Sequence, residues 1–219
     1  MYRYVFFDLD GTITDSGEGI TNSAAYALEK FGIHVRDRSE LYPFIGPPIV
    51  EAFKNLFHFS REDSVKAVAY YREYYKDKGI FENRVYDGIP ELLSALKEKG
   101  VTVVLATSKP ELYARRILEH FQLDRYFDFI TGATMDESRV KKADVIAYAL
   151  EKLSVRDTSE VLMVGDREHD VIGAGKNRIV TASVLFGYGS EKELTDAGAK
   201  YLLKEPKDLL PIVLPGDFA

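Results

Sequence analysis

Cysteine is absent from this 219-residue chain. That excludes disulfides, thiolate metal sites and a cysteine nucleophile. Histidine is scarce too: His34, His58, His120 and His169 are scattered, and none shows zinc-ligand spacing. Basic charge is not in excess. Lys plus Arg is 29 against 35 for Asp plus Glu, a net charge of -6 with no long basic run. Such a balance argues against a nucleic-acid polymer or an anionic membrane surface as partner. The clean apolar runs reach about seven residues, where a bilayer span needs ~20. The segment Met1 to Asp10 has no signal-peptide apolar region, so the expected location is cytoplasmic. Low-complexity tracts, internal repeats and Gly/Ser linkers are missing. What remains is a chain with 46% hydrophobic residues, enough to bury a core without staples.

Short apolar, β-rich runs recur at Tyr2–Phe7, Val101–Thr107, Phe129–Thr131, Val161–Val164 and Ile179–Phe186, with a weaker one at Ala199–Leu203. Their continuous hydrophobicity suits strands buried on both faces. Helical patterns alternate with them. Pro90–Lys99 ends at Gly100, a helix opens at Pro110 and runs to about Phe121, and Lys142–Leu153 carries an apolar stripe. Strand and helix in alternation predict an α/β fold with a doubly wound parallel sheet.

One stretch departs from that rhythm. Between Asp15 and Tyr86 the patterns are helical and no strand is evident. Gly17–Phe31 ends at Gly32, and Ser60 with Asp63 three residues on forms a capping-box start for a helix to about Lys78. About seventy residues are too many for one crossover. They read as an inserted all-helical domain, residues 15–86, within an α/β core made of 1–14 and 87–219. The stripe Tyr70-Tyr71-Arg72-Glu73-Tyr74-Tyr75 reads as core or rim of that insert. The apolar loop Tyr42 to Pro48 reads equally as packing or as a substrate contact.

Polar residues gather where strands end. The first run leads into Asp8-Leu9-Asp10-Gly11-Thr12, the second into Thr107-Ser108-Lys109, and Val161–Val164 into Gly165-Asp166 with Asp170 four residues on. In a parallel sheet these C-terminal ends share one edge, where open α/β sheets bind ligands. Crowded carboxylates repel unless a cation joins them. Oxygen donors without Cys or paired His favour Mg²⁺. Hydroxyls, turn amides and a lysine beside them suit phosphate oxygens. Residue type alone thus points to metal-assisted phosphoryl transfer with an aspartate as nucleophile.

These motifs resemble those of the haloacid-dehalogenase-like hydrolases. Asp8-Leu9-Asp10-Gly11-Thr12 resembles the first motif, Thr107 the second, Lys142 (or Lys141) before a helix the third, and Gly165 to Asp170 the fourth. All four occur in order across nearly the whole chain, and the helical insert resembles that family's helical cap on a Rossmann-like core. Asp15-Ser16 and Gly46-Pro47-Pro48 make the chain similar to the phosphoglycolate-phosphatase-like branch.

The resemblance implies that Asp8 attacks phosphorus and that Asp10 protonates the leaving oxygen and then activates water. It implies that Asp8, the carbonyl of Asp10 and Asp166 hold Mg²⁺, with Asp170 binding through water or orienting the other ligands. Thr107, Lys142 and the amides of Leu9 and Ser108 would bind the phosphoryl oxygens. Two positions depart from the pattern: Arg167 stands where a small hydroxyl residue is usual, and the proline after the third-motif lysine is missing. The implied activity is hydrolysis of a small phosphate monoester, phosphoglycolate or a nucleoside monophosphate, through an aspartyl-phosphate, by a monomer or weak homodimer. A sugar-phosphate mutase on the same scaffold, or a phosphoryl-accepting or binding module without turnover, are the alternatives.

Overall fold

The computed structural model describes residues 2–136 and 138–217. Six parallel strands form the central sheet. In chain order they are β1 (Tyr4–Phe7), β4 (Thr102–Pro110), β5 (Phe129–Ala133), β6 (Val161–Gly165), β7 (Val180–Val184) and β8 (Tyr201–Leu203). In space they run β5-β4-β1-β6-β7-β8. The chain builds outward from β1 first on one side and then on the other, so the direction of winding reverses beside β1.

Alternate side chains of each strand serve two cores, as a period of two requires. Val5, Phe7, Val103, Leu105, Leu162 and Val164 belong to the larger cluster, which also takes in Leu92 and Leu96 of α4 (Ile89–Glu98) and Ile117 of α5 (Glu111–His120). Phe6, Val104, Ala106 and Met163 face the other way. They pack on Val145, Ile146 and Ala149 of α6 (Lys142–Lys152) and on Ala174 of α7 (Glu168–Lys176). Phe6 is wholly buried at the sheet centre, and truncating such a side chain to alanine costs about 3–5 kcal/mol.

The helices α1 (Gly17–Glu29), α2 (Ile49–Phe57) and α3 (Arg61–Tyr74) all fall between β1 and β4. The expected capping start of α3 is present, Ser60 accepting from the Asp63 amide at 3.0 Å. The helix ends earlier than the sequence pattern suggests, because Tyr75–Gly79 widens into a π-helical turn. One correction concerns the stretch read as strandless. Thr14–Asp15 (β2) pairs antiparallel with Arg84–Val85 (β3), in register Thr14↔Val85 and Asp15↔Arg84. The two ends of the helical insertion are therefore stitched to each other. A two-residue strand has no periodicity to reveal it; its partner 70 positions away makes it. Among the described residues, no helix is long and apolar enough to cross a membrane.

Candidate active site

Register brings the polar strand ends together. Phe7 lies level with Leu105 on one side and with Val164 on the other. The chain continues upward from there, the Asp8 amide donating to the Val164 carbonyl at 2.9 Å. Asp8 therefore sits where the winding reverses, the place at which open α/β sheets bind ligands. Beyond it the chain folds back tightly, with the amides of Thr12, Ile13 and Thr14 all directed to the Leu9 carbonyl. Gly11 makes the bend possible. Its φ is +82°, and a Cβ there would overlap the Asp166 carboxylate.

On β4 the ladder to β5 slips after Ala106: Ala106 pairs with Thr131, but the next pair is Pro110 with Ala133. This bulge carries Thr107, Ser108 and Lys109 out of the regular ladder, a common way of re-aiming side chains at a site. Thr107 is buried and its hydroxyl accepts from the Lys109 amide at 3.2 Å. Ser108 is half-buried and borders the adjoining cavity.

Four of the expected residues form one cluster. Oxygens of Asp8, Asp166 and Asp170 lie within 4.8 Å of one another. The Lys142 ammonium is 2.6 Å from Asp8 Oδ1 and 2.8 Å from Asp170 Oδ1, and donates to the Ala106 carbonyl at 3.0 Å. Lys142 opens α6 with its side chain inward, whereas the neighbouring Lys141 is exposed at the cavity rim. Gly173 on α7 fits this arrangement: a Cβ there would stand 2.7 Å from Lys142 Cγ.

Electrostatics in this cluster are those of a site short of positive charge. Burial, with the charges of Asp170 and Asp8, pushes the Asp166 carboxyl well above the usual range. Asp170 is raised by burial as well, and by Asp8, against the opposing pull of Lys142. Burial alone would lower the Lys142 ammonium, but Asp170 and Asp8 outweigh it and raise it. Asp170 Oδ2 accepts from the amides of Asp166 and Arg167, both at 3.1 Å, and Asp166 Oδ2 accepts from the Tyr188 amide at 2.8 Å. Asp166 Oδ1 is buried with no hydrogen-bond partner among the described residues. An orphaned carboxylate oxygen beside two further carboxylates fits a small, hard, divalent cation.

Asp10 is set apart from these acids. Both of its oxygens accept from the Lys109 ammonium, at 2.8 and 2.7 Å. Lys109 lies 5.0 Å from the Tyr75 ring centre. Asp10 and Lys109 border a cavity of about 300 Å³ between the sheet edge and the inserted helices. Its wall is largely apolar and aromatic, with Phe44, Pro47, Pro48, Ile49, Tyr71 and Tyr75 among the lining residues. Tyr71 and Tyr75 stack at 5.3 Å and 17°, and Tyr113 meets Tyr75 edge-on. Burial raises both tyrosine hydroxyls far above their ordinary range, so both are neutral.

Sequence reasoning does not single out Lys109 as Asp10's partner. Its one signal is position, two residues past Thr107 at a strand end. The tyrosine stripe, read as core or rim, is both: Tyr71 and Tyr75 are buried and border this cavity, and Tyr70 and Tyr74 are half-buried.

Comparison with known proteins agrees with this geometry. Residues 5–184 match the family model of the haloacid dehalogenase-like hydrolases, and the chain belongs to that family. It is 44% identical over 193 residues to the 5'-nucleotidase of Pseudomonas aeruginosa, covering 88% of this chain and 87% of that protein. A predicted phosphatase from Clostridium acetobutylicum superposes with a TM-score of 0.95 at 49% identity, covering 98% and 99% of the two chains. Protein tyrosine kinase A of Mycobacterium tuberculosis shares the fold at a TM-score of 0.84 and 37% identity, covering 97% of this chain and 98% of that structure. This chain spans 63% of that kinase's full length.

Proposed function

We propose that this phosphatase of the haloacid dehalogenase-like family hydrolyses a small phosphate monoester whose alcohol carries an aromatic ring, of the nucleoside-monophosphate kind, through an aspartyl-phosphate on Asp8. One observation carries the reading: a buried aspartate at the sheet switch point touches a buried lysine, and a second aspartate two residues on faces a cavity of ligand size.

In the first step an Asp8 oxygen bonds to phosphorus and the ester P–O bond breaks. Asp10 gives its proton to the departing oxygen. In the second step Asp10 takes a proton from water, the water oxygen bonds to phosphorus, the Asp8–phosphorus bond breaks and phosphate leaves. Both Asp10 oxygens accept from Lys109 in the ligand-free arrangement, so that contact must loosen and Asp10 must take up a proton from solvent before it delivers one to the departing oxygen; the proton taken from water in the second step replaces it. Lys142, Thr107 and the amides of Leu9 and Ser108 bind the phosphoryl oxygens and counter charge in a loose transition state. Asp8, Asp166 and the Asp10 carbonyl would hold Mg²⁺, with Asp170 orienting them. Bound there, Mg²⁺ neutralises phosphoryl charge. Residues 15–86 act as a cap that roofs the site and excludes water.

The choice between leaving groups follows from the cavity. Phosphoglycolate presents a small carboxylate; Lys109, the cation nearest the reacting centre, is engaged by Asp10, and the cavity's other cations are Arg72 and Lys141. A wall with Tyr71, Tyr75, Phe44 and two prolines suits a planar, weakly charged group. The name of the Pseudomonas relative supports the same choice.

A panel of phosphate esters assayed with Mg²⁺ and with EDTA tests the reading. Metal-dependent phosphate release, with nucleoside monophosphates ahead of phosphoglycolate in kcat/KM, is expected. Preference for phosphoglycolate would overturn the substrate class. Product bisphosphate without free phosphate would favour a mutase. Phosphate transfer from ATP to protein tyrosine without ester hydrolysis would favour the activity in the mycobacterial relative's name.

A further inference from the structure

Arg167 is the position where the fourth motif departs from its family pattern, and its contacts run away from the acids toward the inserted helices. Its backbone amide donates to Asp170 Oδ2. Its side chain turns the other way. Arg167 Nη1 donates to the Ile45 carbonyl at 2.6 Å. Arg167 Nε donates to Glu193 Oε1 at 2.8 Å, and the same oxygen accepts from the Glu168 amide at 3.0 Å. Glu193 therefore holds the guanidinium plane in place on the core side, leaving the other edge of the fork for the loop that contains Ile45. That loop supplies Phe44, Gly46, Pro47 and Pro48 to the cavity wall.

A second contact runs in parallel. The Tyr42 ring, three residues before Ile45, lies 5.9 Å from the Tyr188 ring, and the Tyr188 amide donates to Asp166 Oδ2. Both anchors of the loop are thus residues whose backbone amides hold Asp166 or Asp170. Neither is on the nucleophile's strand.

We propose that Arg167 is a positioning residue that couples the carboxylate loop to the cavity wall, with Glu193 orienting it. The proposal rests on the reading of the inserted helices as a cap over a phosphoryl-transfer site. Its logic is reciprocal: what orders Asp166 and Asp170 also steadies the loop 42–48, and what loosens the loop is felt as poorer binding of the leaving group. A small hydroxyl residue at this position has no reach to Ile45 and breaks the coupling while leaving the carboxylates in place.

Hydrogen exchange of the loop's four amides, those of Tyr42, Phe44, Ile45 and Gly46, measured with EDTA and with Mg²⁺ plus inorganic phosphate, tests this without any turnover. In the unaltered protein, Mg²⁺ and phosphate should slow exchange there. In Arg167→Ser, exchange should be about tenfold faster, the factor one charge-assisted hydrogen bond supplies, and Mg²⁺ and phosphate should slow it less than in the unaltered protein, the Tyr42–Tyr188 contact being the link that remains. In kinetics, Arg167→Ser should raise KM for a nucleoside monophosphate about tenfold, while kcat/KM for methyl phosphate stays within about twofold. Glu193→Gln keeps the side-chain shape and should show the same pattern at smaller size, which covers failure of the serine variant to fold. Unchanged exchange at 42–48 in both variants would overturn the proposal. So would equal loss on both esters, since that would place Arg167's effect on the chemistry itself. Absence of ester hydrolysis by the unaltered protein would count against the proposed function, and the exchange measurement would still decide the coupling.

Discussion

The floor and the roof of this site are built on opposite principles. The floor is charged: Asp8, Asp166, Asp170 and Lys142 are all nearly inaccessible, held on strand ends and the first turn of a helix. The roof is largely apolar and aromatic, assembled from a loop, three helices and a π-helical turn. Burying unpaired charge is costly, so the floor demands fixed geometry and a cation. Aromatic surface is tolerant in shape and specific in size. The difference teaches a division of labour, with the reaction set by a rigid sheet edge and the choice of leaving group by the inserted helices.

Breaking the floor should have the largest effect. Asp8→Asn removes the nucleophile and should cut kcat by about 10⁴-fold or more, with far-ultraviolet circular dichroism unchanged. Lys142→Ala should follow. It leaves Asp8 and Asp170 buried without their ammonium, so urea unfolding should show a loss of about 3–5 kcal/mol, and kcat should fall by about 10²–10³-fold.

The metal sharpens the same contrast. Without a cation, Asp166 and Asp170 are raised above the usual carboxylate range by burial and by the charge of Asp8, with Asp170 adding to the shift of Asp166. Protonated in the folded state while the unfolded chain ionises near pH ~3.9, they contribute stability at low pH. That stability is lost as pH rises toward their raised values. In EDTA, Tm should therefore decline across that window, and the Tm gain from Mg²⁺ should grow with pH as the cation replaces the proton. A Mg²⁺ increment independent of pH would contradict this.

The roof should yield smaller, selective effects. Tyr75→Leu keeps bulk but loses the ring that stacks on Tyr71. Steady-state assays should show kcat/KM for a nucleoside monophosphate down about 3- to 10-fold, with methyl phosphate little changed. Smallest of all is Arg84→Ala. Its pair with Asp15 is as short as the Lys142 pair with Asp8, both 2.6 Å, but its side chain is 79% exposed against 4% for Lys142. Calorimetry should find no measurable change in Tm.

The same contrast explains what the sequence reveals. The strands and the floor are local in origin: Asp8, Asp10, Thr107 and Asp166 each follow an apolar run, and a parallel sheet brings such ends together without further information. Lys142 is legible through the apolar stripe it opens, although it takes the buried contacts with Asp8 and Asp170 to separate it from the exposed Lys141. The roof is not local. Tyr71 and Tyr75 carry an ordinary helical core pattern, and nothing in their spacing says that the next layer is a cavity. Lys109 is legible as a polar residue at a strand end, but its pairing with Asp10 is set by the β4 bulge, which spacing does not show. The strand Arg84–Val85 exists through its partner, and Arg167's bond to Ile45 spans 122 positions.

The most direct test of the central claim is covalent. Asp10→Asn should remove the group that activates water, so with an ester whose leaving group needs no protonation the phosphorylated enzyme should accumulate. Acid quench after mixing this variant with Mg²⁺ and phosphorus-labelled 4-nitrophenyl phosphate, followed by peptide mapping, should place the label on the peptide carrying Asp8. Phosphate release with no labelled peptide at any quench time, or label on a peptide lacking Asp8, would contradict the account.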